Sequence, residues 1–425
     1  MRMNAEERGW AERLGSGRSR LGLGAGMAAA ALLGTALAVP AQLRKYAPGP
    51  AYQVLYSFQQ SNDGCNPEAG LVRDAEGNLY GTTRYGGNDP DYNDYGTVFK
   101  LGVDGTETLL HTFIGNRYGD GEWPALASLI LDPAGNVYGT TPYGGSSEIN
   151  GGIVFKLAPT GEETVLYTFT GTPNGSQPQG GLVRDSAGNL YGTASGDGTE
   201  GGGNVFRLSP DGTETVLYSF KARVGDALTP MGNLVRGSGG TFFGTSYWGG
   251  AHAVGTIFEA TTAGSERVLH SFAGSPNDGL HPAGTSVFRD ASGDIYGVTL
   301  YGGASNRGAI FKLTSAGAES VLFSFNGRAE GGNPYDGLLR GADGNLFGTA
   351  LYGGSNSCSI GKYGCGVLFE LSPSGQEIVL HKFGESLGDG AFPYGGVIED
   401  PAGSLYGTTA KGGAYGCGTV FKYTP

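Results

Sequence analysis

The sequence is poor in the residues and runs that announce chemistry. Histidine occurs five times in 425 residues and cysteine four times. There is no His-Glu-x-x-His pair and no glycine-rich phosphate loop, so neither that kind of zinc hydrolysis nor nucleotide binding has a motif to rest on. No Cys-x-x-Cys spacing exists, which argues against a thiolate metal centre. Basic charge is short as well. The net charge is −12, and residues 1–50 hold seven basic and three acidic groups (+4), which leaves −16 on the rest. A body that acidic repels phosphate backbones, so nucleic acid is not expected as a partner. Long apolar runs are limited to one, from Leu21 to Val39. Arg13, Arg18 and Arg20 lead into it, and small-x-small cleavage sites follow at Ala36-Leu37-Ala38 and Val39-Pro40-Ala41. Residues 1–41 therefore read as a signal peptide or an uncleaved signal anchor, and 42–50 as a linker.

Glycine is abundant: 82 residues, far above a usual share of about 7%. No Gly-X-Y period exists, so collagen is excluded. Tyr (23) and Phe (20) supply a core, and no long helical pattern competes with short strands and tight turns. The pair Tyr80-Gly81 recurs at Tyr138-Gly139, Tyr191-Gly192, Phe243-Gly244, Tyr296-Gly297, Phe347-Gly348 and Tyr406-Gly407, at spacings of 51 to 59. Around each pair stand four short apolar-aromatic runs bounded by glycine. Glycine also recurs in the first hairpin of every repeat (Gly77 to Gly403) and in the last hairpin of six (Gly105 to Gly375), where a turn needs a left-handed residue. The expected fold is all-β, a seven-bladed β-propeller of four-stranded antiparallel blades over residues 51–425.

The chain begins with an unmatched fourth run, Val54-Leu55-Tyr56-Ser57-Phe58, and ends with an unmatched third run, Thr419-Val420-Phe421-Lys422-Tyr423. The N-terminal strand should complete the last blade and remove two open edges. That places Cys65 and Cys417 on adjacent loops of one face, and Cys358 and Cys365 within one loop. The expected disulfides are Cys65–Cys417 and Cys358–Cys365; pairing of Cys417 with a blade-6 cysteine is the alternative.

The block Gly-Leu-Val-Arg-Asp, Gly-Asn-Leu-Tyr-Gly-Thr-Thr, Tyr-Gly-Gly, Gly-Thr-Val-Phe-Lys, Val-Leu-Tyr-Ser-Phe resembles the bacterial GloVer tandem repeat, over about residues 51–425. The resemblance implies an exported bacterial repeat protein with variable anchoring to the cell surface. It implies no defined activity, and there are no catalytic residues to carry over.

Candidate site residues fall into three sets. Tyr85, Tyr143, Trp248, Tyr301 and Tyr352, each followed by Gly-Gly, form an aromatic series that could stack on a glycan or peptide, or pack over its own turn. Arg73, Arg184, Arg236, Arg289 and Arg340, near the ends of inner strands, could hold an anion at the channel mouth or pair with turn aspartates such as Asp74, Asp185 and Asp290. Asp89, Asp91 and Asn93 begin a calcium-loop pattern, but Asp94 and Lys100 occupy positions where glycine and glutamate are needed, so a solvated acidic loop competes. No other cofactor is expected. His111, His270 and His381 share their position with Tyr56, Tyr167, Tyr218 and Phe323, which reads as structural; Asp63, Asp120, Asp278 and Asp389 read as turn caps. The expectation is a monomeric extracellular, periplasmic or cell-surface binding or scaffold module for a glycan or protein. A secreted carbohydrate-active enzyme and a structural envelope protein are the alternatives.

Overall fold

A Gly in the second strand of each repeat decides how the blades meet. The computed structural model describes residues 51–425, apart from 60–62, 88–93, 125–127, 147, 283, 285, 356 and 357. The export segment, the linker and the calcium candidates Asp89, Asp91 and Asn93 lie outside these residues. In blade 1 the inner, second, third and outer strands are Val72–Arg73, Leu79–Thr83, Thr97–Leu101 and Glu107–Thr112, paired antiparallel in that order. The same sheet recurs to give seven blades. Each second strand is buried along most of its length, and its Tyr-Gly glycine faces the third-strand phenylalanine. A Cβ on Gly81, Gly192 or Gly407 would come within 2.7 Å of the Cζ of Phe99, Phe206 or Phe421. Only glycine leaves room there.

That phenylalanine is half of a pair. Phe58–Phe99, Phe113–Phe155, Phe169–Phe206, Phe220–Phe258, Phe272–Phe311, Phe325–Phe369 and Phe383–Phe421 pack edge to face, with ring centroids 5.0–5.3 Å apart. Each pair joins the end of one blade's outer strand to the third strand of the next blade, and all these rings are fully buried. The hairpin glycines expected from sequence all lie in the left-handed region, Gly77 at φ +97° and Gly105 at +81° among them.

The ring closes as the termini suggested. Ala51–Ser57 pairs antiparallel with Thr419–Thr424, so the seventh blade is Ile398–Glu399, Leu405–Thr409, Thr419–Thr424 and Ala51–Ser57. Cys65 is bonded to Cys417, and Cys358 to Cys365. At the axis, the residues opening the inner strands are small: Gly70, Ser128, Gly181, Asn233, Ser286, Gly337 and Gly396. Asn233 accepts from the Gly181 N–H and donates to Ser286 Oγ (2.7 Å); Asp336 accepts from the Gly337 (2.6 Å) and Gly396 (2.8 Å) N–H groups. These bonds stitch neighbouring blades around the centre. A 3-10 turn at Asn116–Tyr118 is the helical element among the described residues, and no described helix is long and apolar enough to cross a membrane.

Deleting residues 51–58 removes both an outer strand and Phe58. The expected result is loss of a cooperative melting transition; an unchanged transition by calorimetry would refute strand closure. Replacing Cys65 and Cys417 together with Ser releases a crosslink 352 residues apart in sequence. It should cost about 2–5 kcal/mol in denaturant unfolding, whereas replacing the seven-residue-spaced Cys358 and Cys365 should cost less.

Candidate functional site

Loops after the second and outer strands emerge on one face. The segment entering each blade carries a feature the sequence reading missed. Asn66, Trp123, Gln177, Thr229, His281, Asn333 and Phe392 each precede a proline, and each has φ between +52° and +60°. A residue before proline is normally extended, and β-branched or bulky residues resist this region. At Asn66, Gln177, His281, Asn333 and Phe392 the backbone is held there from both sides, whereas at Trp123 the second donor position is Pro142 and the Tyr95 carbonyl bond remains. The Asn66 N–H donates to the Cys417 carbonyl (2.8 Å) of the preceding blade, while its own carbonyl accepts from the Arg84 N–H (3.0 Å) of the following one. His281 does the same between Val254 (2.8 Å) and Leu300 (3.0 Å), and Phe392 between Cys365 (2.8 Å) and Ala410 (3.0 Å). The proline then seats on the glycine opening the preceding third strand: a Cβ on Gly96, Gly203 or Gly418 would lie 2.7–2.8 Å from the Cδ of Pro124, Pro230 or Pro67. The recurring X-Pro dipeptide was the available signal.

This ring organises the aromatic candidates. Each sits at the end of a second strand and pairs with the entering segment, as Tyr143 does with Glu122, Trp248 with Leu228 and Tyr301 with Leu280. In four of the five a Thr or Ser hydroxyl two residues earlier binds the aromatic's carbonyl, as Thr141 Oγ1 does for Tyr143 (2.7 Å) and Ser246 Oγ for Trp248 (2.7 Å); before Tyr352 that position is Ala350. All five are half-buried. Trp248, Tyr301 and Tyr352 come together. The His281 ring stacks on Tyr247 (centroids 4.4 Å) and meets Trp248 edge-on (4.3 Å), with Tyr301 beyond (6.2 Å). The arc continues through Leu300, Leu351, Tyr352, Phe392, Tyr335 and Tyr394. Tyr143 belongs to a separate patch with Trp123 and Tyr95. Tyr85 lies beside the Arg84 guanidinium (5.3 Å). Tyr247, Trp123, Phe392, Tyr335 and Tyr394 are additions that sequence reasoning did not supply.

Beside the arc lies a polar group. Glu68, almost wholly buried, pairs with Arg84 at 3.2 Å, and Lys411 Nζ donates to Asn66 Oδ1 at 3.0 Å. Burial lowers the Lys411 ammonium pKa against the opposing pull of Glu68. Burial, with Glu68 adding to it, raises the Tyr335 and Tyr394 hydroxyls above their ordinary range. On the same face, Tyr118, Ile149, Val224, Ile360, Tyr363, Leu387 and Tyr415 are exposed on surrounding loops. Gly384-Glu385-Ser386-Leu387-Gly388 spells the nucleophile-elbow pattern, but it forms an exposed turn between strands with no helix after it, so the serine lacks that geometry.

The arginine series lies on the opposite face, each member at an inter-blade cleft. The Arg184, Arg289 and Arg340 guanidinium groups lie over Tyr138, Phe243 and Tyr296 of the preceding blade (5.2–6.0 Å), and Arg340 pairs with Asp290 at 3.3 Å. Arg73 lines a cleft of about 380 Å³ between the last and first blades. Arg236 acts electrostatically on Tyr191 of the preceding blade. Asp74 and Asp185 serve their own turns, capping Asn78 and Asn189.

Around the rim, the Asp expected to cap turns also binds the outer strand. Asp120 accepts from the Ile114 (2.8 Å) and Gly121 (2.6 Å) N–H groups and contacts His111 Nε2 (3.3 Å). Glutamates open six outer strands, each with one buried carboxylate oxygen that has no hydrogen bond. Burial pushes the Glu107, Glu214, Glu266 and Glu377 carboxyls up to about 7; neighbouring Asp63, Asp226 and Glu330 add to this at Glu107, Glu266 and Glu377. A carboxyl raised in the folded chain stabilises fully below its unfolded value of 4.5 and loses that contribution as pH rises through 7. The E107Q/E214Q/E266Q/E377Q variant should therefore melt higher than the parent at pH 8 and close to it at pH 5. Parallel Tm–pH curves would show these groups to be uncoupled from folding.

A family model described as the Gloeobacter/Verrucomicrobia repeat matches residues 41–239 and 224–360. No curated protein matches the chain. Among solved structures, the extracellular domain assigned to a one component system, BT4673, from B. thetaiotaomicron superposes with a TM-score of 0.51 at 11% identity. The match covers 87% of this chain and 39% of that one, so the chain spans about two fifths of its length. A fungal alcohol oxidase of the AA5 family, solved with copper, gives a TM-score of 0.54 at 14% identity, over 87% of this chain and 76% of that one. At these identities the likeness is one of fold.

Proposed function

The chain belongs to the Gloeobacter/Verrucomicrobia repeat family, and we propose that it works outside the cytoplasm as a binding module whose ligand is a glycan chain. The arc of half-buried rings Trp248, Tyr301 and Tyr352, with the buried His281 ring packed between Trp248 and Tyr301, carries this reading. Aromatic faces stack on the apolar faces of sugar rings, and flanking polar groups order the hydroxyls. A ring fixed by backbone bonds on both sides loses little freedom on binding, which lowers the cost of association. Two disulfides support an oxidising compartment. BT4673 is described as having an extracellular domain, which is compatible with that placement.

A second reading has one observation behind it. Glu68, Arg84, Lys411, Tyr335 and Tyr394 bring acid, base and cation together next to the same arc, a set that suits polysaccharide cleavage.

The test is a glycan array followed by calorimetry. The parent should bind a defined set of glycans, and the W248A/Y301A variant should lose at least tenfold in affinity while keeping a folded circular dichroism spectrum. Turnover of a polysaccharide panel, lost in K411A, would move the assignment to the enzyme. Absence of any glycan binding would overturn the proposal and leave a protein ligand or a structural role.

A further inference from the structure

We propose that the propeller rim holds two transition-metal sites of the zinc type, one formed by His111, Asp120 and Glu163 and the other by His270, Asp278 and Glu319. Each site gathers an imidazole from one blade's outer strand, a carboxylate from the loop that follows, and a carboxylate from the next blade's outer strand. Their donor atoms lie within 4.8 Å of one another. His111 Nε2 is 3.3 Å from Asp120 Oδ2 and 3.7 Å from Glu163 Oε2; His270 Nε2 is 3.1 Å from Asp278 Oδ2. Donors sharing a tetrahedral ion at about 2.1 Å stand roughly 3.4 Å apart, and both His111 distances lie within tenths of an ångström of that.

Comparison among the repeats separates these two places from the others. Glu163 turns Oε2 toward His111, while its Oε1, like Glu319 Oε1, is buried without a hydrogen bond. The repeat leaves the equivalent oxygen orphaned at Glu107, Glu214, Glu266 and Glu377 too, but there Tyr56, Tyr167, Tyr218 and Phe323 replace the imidazole. The third histidine is an internal control. His381 contacts Asp389 (3.2 Å), but the third position is Tyr52, whose ring stacks flat on the imidazole at 3.6 Å. One imidazole and two carboxylates suit Zn²⁺ or Mn²⁺ rather than a soft ion, and the partly exposed histidines leave a path for the ion. Each bound ion would tie two adjacent blades together.

The repeats supply a variant compatible with folding, since blade 5 already carries Phe323 in place of histidine. Untagged full-length chain is titrated with Zn²⁺ at neutral pH by calorimetry. The expected stoichiometry is two ions per chain, falling to one in H111F and one in H270F, and to none in the double variant, with H381F unchanged. E163Q and E319Q should each weaken one site at least tenfold. Zn²⁺ should raise the Tm of the parent and not of H111F/H270F. Failure to bind Zn²⁺ saturably, or two ions still bound by the double variant, would overturn the proposal.

Discussion

The fold depends on one repeated contact, the edge-to-face phenylalanine pair between successive blades. Each pair is fully buried, and each needs the second-strand glycine that admits the inner ring. Burying one such side chain is worth about 1.5–3 kcal/mol, and the ring geometry adds about 0.5–1.5 kcal/mol. The contact is directional, because the outer strand of one blade reaches the third strand of the next. Such a series has two unsatisfied ends unless it closes. Phe58 is the ring that closes it, and this explains why the first described strand belongs to the last blade. The Cys65–Cys417 bond lies beside this seam and fastens the segment entering blade 1 to the loop of blade 7.

A second constraint lies in the segments that enter the blades. Seven non-glycine residues hold left-handed backbone before proline, a state that costs about 1–3 kcal/mol each. It persists because backbone bonds fix it, to both neighbouring blades at Asn66, Gln177, His281, Asn333 and Phe392, and the proline fills the space over a glycine. The position is therefore determined by the backbone and not by the side chain it carries. Asn, Trp, Gln, Thr, His and Phe all occupy it. A frame that specifies position but leaves identity open is what a recognition surface requires, and the aromatic arc arises where His281 and Phe392 fill those places.

Blade count, hairpins, closure and both disulfides were legible in the sequence, because each rests on a residue type that geometry makes obligatory: the Tyr-Gly glycine, the turn glycines and the paired cysteines. The aromatic series was legible as residues but not as a site. Gly-Gly marks Tyr85, Tyr143, Trp248, Tyr301 and Tyr352 alike, while their separation into an arc, a patch and a single ring depends on X-Pro residues of differing chemistry. The rim triads were hidden for another reason. His111 and Glu163 come from equivalent strands of different blades, and Asp120 sits in a turn it also caps, so each residue alone had a sufficient structural role.

Repetition also makes departures from the pattern informative. A residue that served only to pack would tolerate the same choice in all seven blades, as the phenylalanine pairs do. The outer-strand position instead alternates among His, Tyr and Phe while its Asp and Glu neighbours largely persist. Tyr and Phe meet the packing requirement there by sitting edge-on to the phenylalanine that follows, and His does the same. Packing therefore does not select the imidazole. What the imidazole adds is a nitrogen facing two carboxylates, and this occurs in the two places where the next blade offers a glutamate. At the seam, where Tyr52 replaces that glutamate, the same imidazole is consumed by stacking. The frame is fixed by its symmetric contacts, and chemistry enters where the symmetry is broken.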